Sequence, residues 1–171
     1  MPTPLRLYFD QNYLSGMAKS KPAFRELEPI VRQAIDQGRV AVLESAVHER
    51  ESRPRPDLRL LELLRDLSGG RRLPPTDDRA TREARRRMAW TIQREFPERR
   101  LRASDAGDLE AIAQALTRCD LVTCDAFIAD VVRRARLDLS LHSELFTGRR
   151  RDVLRLRDRL AELTESDVGR Q

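Results

Sequence analysis

The sequence predicts a single domain of the α/β class, with three layers: a short central parallel sheet of four to five strands and helices on both faces. Two observations lead to this prediction. Short apolar stretches alternate with longer amphipathic ones along the 171 residues, and the second and third short stretches are almost continuously apolar, as strands covered on both faces are. We expect the domain to span 1–164, with a frayed C-terminal tail over 165–171.

The predicted strands are short runs rich in Leu, Val and Phe. In chain order they are "LRLYF" at 5–9, "RVAVLE" at 39–44, "DLVTC" at 120–124 and "LDLSL" at 137–141. Each of the first three is followed by polar residues and then by a helix-like pattern, which is the order of elements in a parallel α/β sheet.

The segments between and after these strands carry apolar residues at helical spacing. They are 22–38, 57–70, 77–96, 104–119, 125–137 and 148–163. Gly38 closes the first helix as a C-cap, and Pro29 inside it predicts a kink or a break. Thr76 or Asp77 can cap the third helix.

The charge balance favours an anionic partner. Lys and Arg total 33 against 28 Asp and Glu, a formal net charge of +5, and the sequence pI is near 10.0. There is no apolar run of membrane-spanning length and no signal-peptide pattern, so we expect no membrane contact and a cytoplasmic location. Cys119 and Cys124 lack the spacing of a zinc site, and reduced core thiols are the better interpretation.

Two aspartates stand at equivalent positions, each directly after a predicted strand. Asp10 ends the first strand and Asp125 the third, with Thr123 two residues earlier on the same side of that strand. Either aspartate alone could be a helix N-cap. The carboxyl ends of parallel strands meet at one crevice, so a pair in equivalent positions is harder to explain as two independent caps.

Further acids are expected at the same edge of the sheet. The segment "ESAVHERES" after the second strand holds Glu44, Glu49 and Glu51, and Asp105 and Asp108 begin a helix whose positive end favours negative charge. A group of carboxylates with no basic residue among them repels itself unless a hard divalent cation is bound. Mg²⁺ or Mn²⁺ is the cation that such oxygen ligands favour.

The segments "LYFDQN", "LESAVHERE", "DAGDLEAIAQAL" and "LVTCDAF", in this order and spacing, resemble the PIN domain, the fold of VapC-type toxins and related metal-dependent ribonucleases. The resemblance covers about 5–146 and implies a parallel sheet with the first strand central. It also implies Mg²⁺- or Mn²⁺-dependent hydrolysis of RNA phosphodiester bonds. The segment from 51 to 105 is longer and richer in arginine than in compact toxins, and the last helix is more basic.

The resemblance also assigns residues. It implies that the catalytic and metal-binding acids are Asp10, Glu51, Asp108 and Asp125. Around them it places Asn12 as the polar companion of Asp10, Thr123 as the hydroxyl neighbour of Asp125 and Ser45 as the serine that ends the second strand. Asp105 is a supporting residue or an N-cap, and His48 is more often a hydrogen-bonded structural residue than a general base.

RNA is the expected partner, and an antitoxin protein is a second if the chain is a toxin. The run Arg149, Arg150 and Arg151 is a candidate for phosphate contacts, although such runs are usually solvated helix faces. The alternative function is a catalytically silent PIN-fold module that binds RNA or protein. The sequence does not fix the oligomeric state, although the apolar helix face over 58–67 could serve a homodimer.

Only one glutamate of the short helix after the second strand can reach the crevice. Positions two apart in a helix point in roughly opposite directions, at about 200°. Glu51 lies near the apolar Val47 around the helix axis, whereas Glu49 does not. We therefore expect Glu51 at the site and Glu49 in solvent.

Overall fold

A sheet of four parallel strands, in the order β2-β1-β3-β4, forms the centre of the fold. The computed structural model describes residues 2–54, 59–74 and 77–166. The strands are β1 (Leu5–Tyr8), β2 (Val40–Val42), β3 (Leu121–Thr123) and β4 (Glu144–Phe146). The α/β class and the parallel four-stranded sheet are as the sequence predicts.

Helices connect the strands and make up most of the remaining chain. They are α1 (Gln11–Ala18), α2 (Leu27–Asp36), α3 (Ala46–Ser52), α4 (Leu60–Ser68), α5 (Arg79–Glu95), α6 (Ala103–Arg118), α7 (Ala126–Arg134), α8 (Leu137–Leu141) and α9 (Arg150–Glu165). A single 3-10 turn, Pro22–Phe24, precedes α2.

Each face of the sheet carries its own hydrophobic core. Successive strand residues point to opposite faces, so Leu7 of β1 packs with α1, α2, α4 and α9, whereas Tyr8 packs with α5, α6, α7 and α8. Residues of β3 divide in the same way, Leu121 into the first core and Val122 into the second. The sheet is therefore covered on both sides, which explains why its strands are nearly continuous in apolar residues.

The order of the strands opens a crevice beside β1. This strand is an inner one, with β2 on one side and β3 on the other. The helix that follows β1 packs on one face and the helix that follows β3 packs on the other: α1 contributes Leu14 to the first core, and α7 contributes Ile128 to the second. Because the two helices diverge, the carboxyl ends of β1 and β3 border a gap.

The predicted strand at 137–141 is wrong. This segment is the short helix α8, between left-handed backbone conformations at Arg136 (φ 57°) and His142 (φ 55°), and the fourth strand lies just beyond it at 144–146. The alternating leucines suggested one buried face, but Leu137 is buried and Leu139 is 62% exposed. An alternation of apolar and polar residues over five positions does not by itself separate a strand from one turn of helix.

Several predicted helix ends also shift. The predicted helix over 22–38 is interrupted before α2 and not at Pro29. Pro29 lies in the first turn of α2, where proline is tolerated. The cap of α5 is Asp78, whose Oδ1 accepts a 2.9 Å hydrogen bond from the Thr81 amide; it is not Asp77, and Thr76 lies outside the described residues. Gly38 lies just past α2 with φ 66°, a left-handed conformation that glycine adopts without strain.

The apolar face offered for a homodimer belongs mostly to the chain's own core. Leu60, Leu64 and Leu67 of α4 are buried, and Leu58 lies outside the described residues. Of the predicted tail, Glu165 still belongs to α9, and 167–171 fall outside the described part. No helix in that part is both long enough and apolar enough to cross a membrane. Cys119 and Cys124 are buried free thiols.

Two glycines in helices provide a test of this packing. A methyl group at Gly16 of α1 would lie 2.6 Å from Cε2 of Phe24, whereas at Gly107 of α6 it would meet nothing within 4 Å. We expect Gly16→Ala to lower the free energy of unfolding by about 1–3 kcal/mol through overpacking. Gly107→Ala should raise it by about 0.5–1 kcal/mol, because alanine loses less entropy in a helix. Urea denaturation measures both changes, and stabilisation by both substitutions would contradict the close packing at Gly16.

Candidate metal centre

The carboxyl ends of β1 and β3 are held together by Asp10 and Thr123. The hydroxyl of Thr123 accepts a 2.8 Å hydrogen bond from the backbone amide of Asp10 and donates a 2.8 Å hydrogen bond to Asp10 Oδ1. Thr123 is fully buried. Its side chain thus fixes the position of the Asp10 carboxylate where the backbone hydrogen bonds of the sheet end.

Both strand-terminal aspartates are helix N-caps. Oδ1 of Asp10 accepts a 3.3 Å hydrogen bond from the Tyr13 amide at the start of α1. Oδ1 of Asp125 accepts a 2.8 Å hydrogen bond from the Ile128 amide at the start of α7. The expectation that two such aspartates are hard to explain as caps is therefore wrong. Each cap uses Oδ1 alone, and Oδ2 of both residues has no hydrogen-bond partner among the described residues.

The four predicted acids line one small cleft at this edge of the sheet. The cavity has a volume of about 190 Å³, and its lining residues are Tyr8, Asp10, Gln11, Asn12, Glu51, Asp108, Ala111, Ile112, Cys124, Asp125 and Ile128. Drug-sized ligand pockets usually measure about 300–1,000 Å³. The cleft therefore fits an ion with its water molecules and a phosphate oxygen better than an entire nucleotide.

Glu51 reaches the cleft from α3 and Asp108 reaches it from α6. Burial raises the pKa of Glu51 to about 7, helped by a hydrogen bond to Asp108 and by the negative charges of Asp108 and Asp10. Burial also raises the pKa of Asp108, and the nearby charges of Asp125 and Asp105 act in the same direction. The two carboxyl groups therefore lie close enough across the cleft to influence each other's ionisation.

Asp10 and Asp78 both cap helices, but their pKa values shift in opposite directions. Burial raises the pKa of Asp10 to about 6, and the charge of Asp125 adds to the rise, although hydrogen bonds from Thr123 and Tyr13 oppose it. At Asp78 the pKa is lowered, first by the hydrogen bond from the Thr81 backbone. Capping alone therefore does not explain the raised pKa of Asp10, which depends on its burial and on the neighbouring charge of Asp125.

The remaining acids of "ESAVHERES" point away from the cleft. Glu49 pairs with Arg72 at the surface, so it is partly exposed and not free in solvent. Glu44 is buried and lies 3.3 Å from Arg65 and 3.4 Å from Arg72, with a 3.2 Å hydrogen bond from Ser68. Its role is to tie the end of β2 to α4, and it does not contribute to the acid group.

Asp105 is not among the residues that line the cleft. It is the third residue of α6, where its carboxylate accepts a 2.6 Å hydrogen bond from the Arg102 amide. It is therefore not the N-cap itself. Asp108 lies one turn further along, beyond the first turn in which the helix dipole acts most strongly.

Ser45 and His48 support the wall of the cleft. Nδ1 of the buried His48 accepts a 2.9 Å hydrogen bond from the Ser45 amide, and Nε2 donates one of 2.6 Å to the Phe9 carbonyl. Burial lowers the pKa of His48. This neutral ring stacks on Tyr8, whose hydroxyl lies 3.4 Å from Ser45 Oγ. The structural interpretation of His48 thus agrees with its contacts.

Sequence reasoning missed Tyr8 and Gln11 as residues of this cleft. Gln11 lies between the two selected residues Asp10 and Asn12, and its side chain lies 3.4 Å from Ser52 Oγ at the end of α3. Adjacency to two polar residues was the only signal for Gln11. No sequence signal pointed to Tyr8, because it lies within a predicted strand and looks like a core residue.

The donor atoms of the cleft match a hard divalent cation, but they are not assembled around one. Among the residues that the structure describes, no three His, Cys, Asp or Glu side chains are grouped closely enough to hold a metal ion. The chemistry of the set, four carboxylates and the Asn12 amide, is that of a Mg²⁺ or Mn²⁺ site. Ion binding would require the side chains to draw together and the carboxyl groups to be ionised.

Comparison of the chain with models of known protein families, with curated proteins and with solved structures gives no match.

The raised pKa of Asp10 predicts that, without divalent ions, the folded state loses stability as the pH rises. A carboxyl group with a raised pKa in the folded state contributes stability that is lost as the pH rises through about 6. Asp10→Asn keeps the N-cap and removes this charge. Its stability relative to wild type should therefore increase by about 1.4 kcal/mol between pH 5 and pH 8, because about one unit of the pKa shift, from pH 5 to about 6, falls in this interval.

Asp78→Asn is the matched control, because the pKa of that cap is lowered and it remains ionised throughout this range. Its stability relative to wild type should not change between the two pH values. Urea denaturation in EDTA measures both differences, and a flat difference for Asp10→Asn would show that the acid group imposes no cost.

Binding of Mg²⁺ or Mn²⁺ should raise the melting temperature of the wild-type chain. An ion at about one hundred times its Kd adds roughly 2.7 kcal/mol to the folded state, and it also relieves repulsion among the acids. The double variant Asp10→Asn with Asp108→Asn should lose the increase, while Asp78→Asn should keep it. Differential scanning fluorimetry with and without the ion tests this, and an equal shift in the double variant would place the ion elsewhere.

Proposed function

We propose that the chain is a PIN-like endoribonuclease that hydrolyses RNA phosphodiester bonds with Mg²⁺ or Mn²⁺. The observation that carries the proposal is the convergence of Asp10, Glu51, Asp108 and Asp125 on one cleft at the carboxyl ends of β1 and β3. These four acids come from four separate segments of the chain. Capping explains the positions of Asp10 and Asp125, but it does not explain why Glu51 of α3 and Asp108 of α6 meet them in the same cleft.

Carboxylates from four elements of the fold would bind the ion. Asp10 and Asp125 are fixed by their caps through Oδ1, and Oδ2 of each is left to bind the cation. Glu51 and Asp108 provide two more carboxylates from the facing helices α3 and α6. When bound, the ion supplies an activated water and stabilises negative charge on a phosphoryl oxygen.

Thr123 supports this arrangement without reaching the ion. Its hydroxyl holds both the amide and the carboxylate of Asp10, so the direction of Asp10 Oδ2 depends on it. Asn12 stands at the open side of the cleft, on the exposed surface of α1. An amide there can hold a substrate oxygen or a metal-bound water by hydrogen bonding.

RNA as the substrate is supported by charge as well as by the resemblance of the acid pattern to PIN ribonucleases. The chain carries a formal net charge of +5, although the cleft itself is acidic. A basic protein with a local acidic site attracts a polyanion and can offer it a metal ion at one place.

The two glutamates of α3 give the sharpest test. Glu51→Gln should reduce Mn²⁺-dependent cleavage of a single-stranded RNA by at least about a hundredfold, within the range found when one group that stabilises the transition state is removed. Glu49→Gln, the same change two residues away on the same helix, should leave the rate nearly unchanged, because Glu49 pairs with Arg72 outside the cleft. The rate is measured by gel analysis of a labelled RNA, with Asp10→Asn and Asp125→Asn as further inactive variants.

Two results would contradict the proposal. Wild-type rates in Glu51→Gln or Asp10→Asn at saturating Mn²⁺ would remove these acids from the reaction. RNA binding by the wild-type protein without cleavage in either ion would instead favour a catalytically silent module.

A further inference from the structure

A second, larger cavity lies next to the acidic cleft. It has a volume of about 850 Å³ and runs between α7 and the segment from β4 into α9; Ala126, Phe127, Arg133, Thr147, Arg149 and Arg151 are among its lining residues. The two cavities share the start of α7: Asp125 borders the cleft, and the next residue, Ala126, already borders the larger cavity. We call this larger cavity the arginine groove.

The carboxylates of the arginine groove are mostly neutralised by arginines. Three of its four acids each have an arginine nearby: Asp130 with Arg134 at 3.1 Å, Glu144 with Arg159 at 3.1 Å, and Asp152 with Arg155 at 3.5 Å. Asp152 also accepts hydrogen bonds from the amide and hydroxyl of Thr147, at 2.8 Å and 2.7 Å. The fourth acid, Asp138, has one buried oxygen without a hydrogen-bond partner.

Three arginines of the groove form no close ion pair within the described part of the chain, although the charge of Arg133 acts on the Asp152 carboxyl and helps to lower its pKa, after the hydrogen bonds from Thr147. Arg133, Arg149 and Arg151 are exposed, and within the described part of the chain none of them hydrogen-bonds or pairs with a carboxylate through its side chain. The fourth arginine of the groove, Arg155, lies 3.5 Å from the Asp152 carboxylate. The guanidinium groups of Arg149 and Arg151, together with that of Arg133, which is attracted only at longer range to the already paired Asp152, leave a site for an anion.

Phe127 is the one aromatic residue among the described residues that line the groove, and its ring already has two close neighbours. The ring of Phe127 is covered by the guanidinium of Arg99, 3.5 Å from its centroid, and by the edge-to-face ring of Phe96 at 5.2 Å. Single-strand binders that grip bases do so by stacking them on open aromatic rings. The groove is therefore suited to phosphate groups and carries no means of reading sequence by stacking.

The run of arginines at the start of α9 divides between two surfaces. Arg149 lines the arginine groove, and Arg151 lines it as well as an adjoining cavity of about 640 Å³, which shares Glu144 and Arg155 with the groove. Arg150 lines only that neighbouring cavity, with Leu154, Asp158 and Glu162. Arg150 therefore offers the same charge on the same helix outside the groove.

We infer that the arginine groove holds a phosphate of the RNA strand that flanks the phosphodiester in the acidic cleft, through Arg133, Arg149 and Arg151. This inference rests on the proposed function for the identity of the strand. The shared start of α7 makes the path continuous, since a strand that leaves the cleft past Asp125 enters the groove at Ala126 and Phe127. The contact positions the strand for cleavage and is independent of base sequence.

The test is the affinity of a labelled single-stranded RNA in EDTA, measured by fluorescence anisotropy at several salt concentrations. Arg133→Ala and Arg149→Ala should each weaken binding several-fold. Each should also reduce the slope of log K against log salt by about 0.7, the value for one lost phosphate contact on a single strand. Arg150→Ala should match the wild-type chain in both affinity and slope, since it lies outside the groove.

The outcomes separate this inference from the proposed nuclease activity. An equal loss of RNA affinity in Arg149→Ala and Arg150→Ala would show that only the overall charge matters, and it would overturn the inference. Unchanged RNA affinity in Arg133→Ala and Arg149→Ala, or no RNA binding by the wild-type chain, would also overturn it. Displacement of the RNA by poly-glutamate at equal charge would also overturn it. Loss of binding in the groove variants, in a chain that never cleaves RNA with Mn²⁺, would support the groove and reject the nuclease.

Discussion

The pair of hydrogen bonds between Thr123 and Asp10 sets the position of everything else at the site. It joins the ends of β1 and β3 at the point where the two strands stop exchanging backbone hydrogen bonds. Since α1 and α7 leave from these same ends on opposite faces of the sheet, the joint also fixes both walls of the crevice. A carboxylate placed there is held by a buried hydroxyl and cannot relax away from its neighbours.

A capping role and a functional role can be held by one aspartate, because a carboxylate has two oxygens. Asp10, Asp78 and Asp125 all cap helices, and each uses Oδ1 for the amide three residues later. What distinguishes them is the surroundings of the second oxygen. At Asp78 that oxygen pairs with Arg118, whereas at Asp10 and Asp125 it is left beside other acids.

The fold sorts its charges into an acidic cleft and a basic groove on either side of one helix start. In the cleft, burial and the neighbouring carboxylates raise the pKa of Glu51 and Asp108, so the charged forms of these acids are disfavoured. On the other side, four arginines and four carboxylates line the groove, and three of those carboxylates already pair with Arg134, Arg155 and Arg159. Both sides are thus left with charge that a ligand would satisfy, a cation in one and an anion in the other. A metal-bound phosphodiester strand has both.

The sequence by itself determined the class of the fold and the acids of the cleft. Apolar runs covered on both faces predict a parallel sheet, and Asp10 and Asp125 follow two such runs directly, so their meeting at one edge follows from the parallel order. The helical phase of α3 likewise placed Glu51 in the cleft and Glu49 outside it. These features depend on local periodicity and on the direction of the strands.

Only the tertiary structure decided the features that depend on contacts between distant segments. The run 137–141 has the alternation of a strand, but the backbone turns at Arg136 and His142 make it a helix and leave β4 as a shorter strand further on. Glu44, which the sequence places in the same acidic segment as Glu51, is neutralised by Arg65 and Arg72 from distant parts of the chain. Arg149 and Arg150 are adjacent in the sequence but line different cavities, because the tertiary packing around α9 decides which of its residues border each cavity.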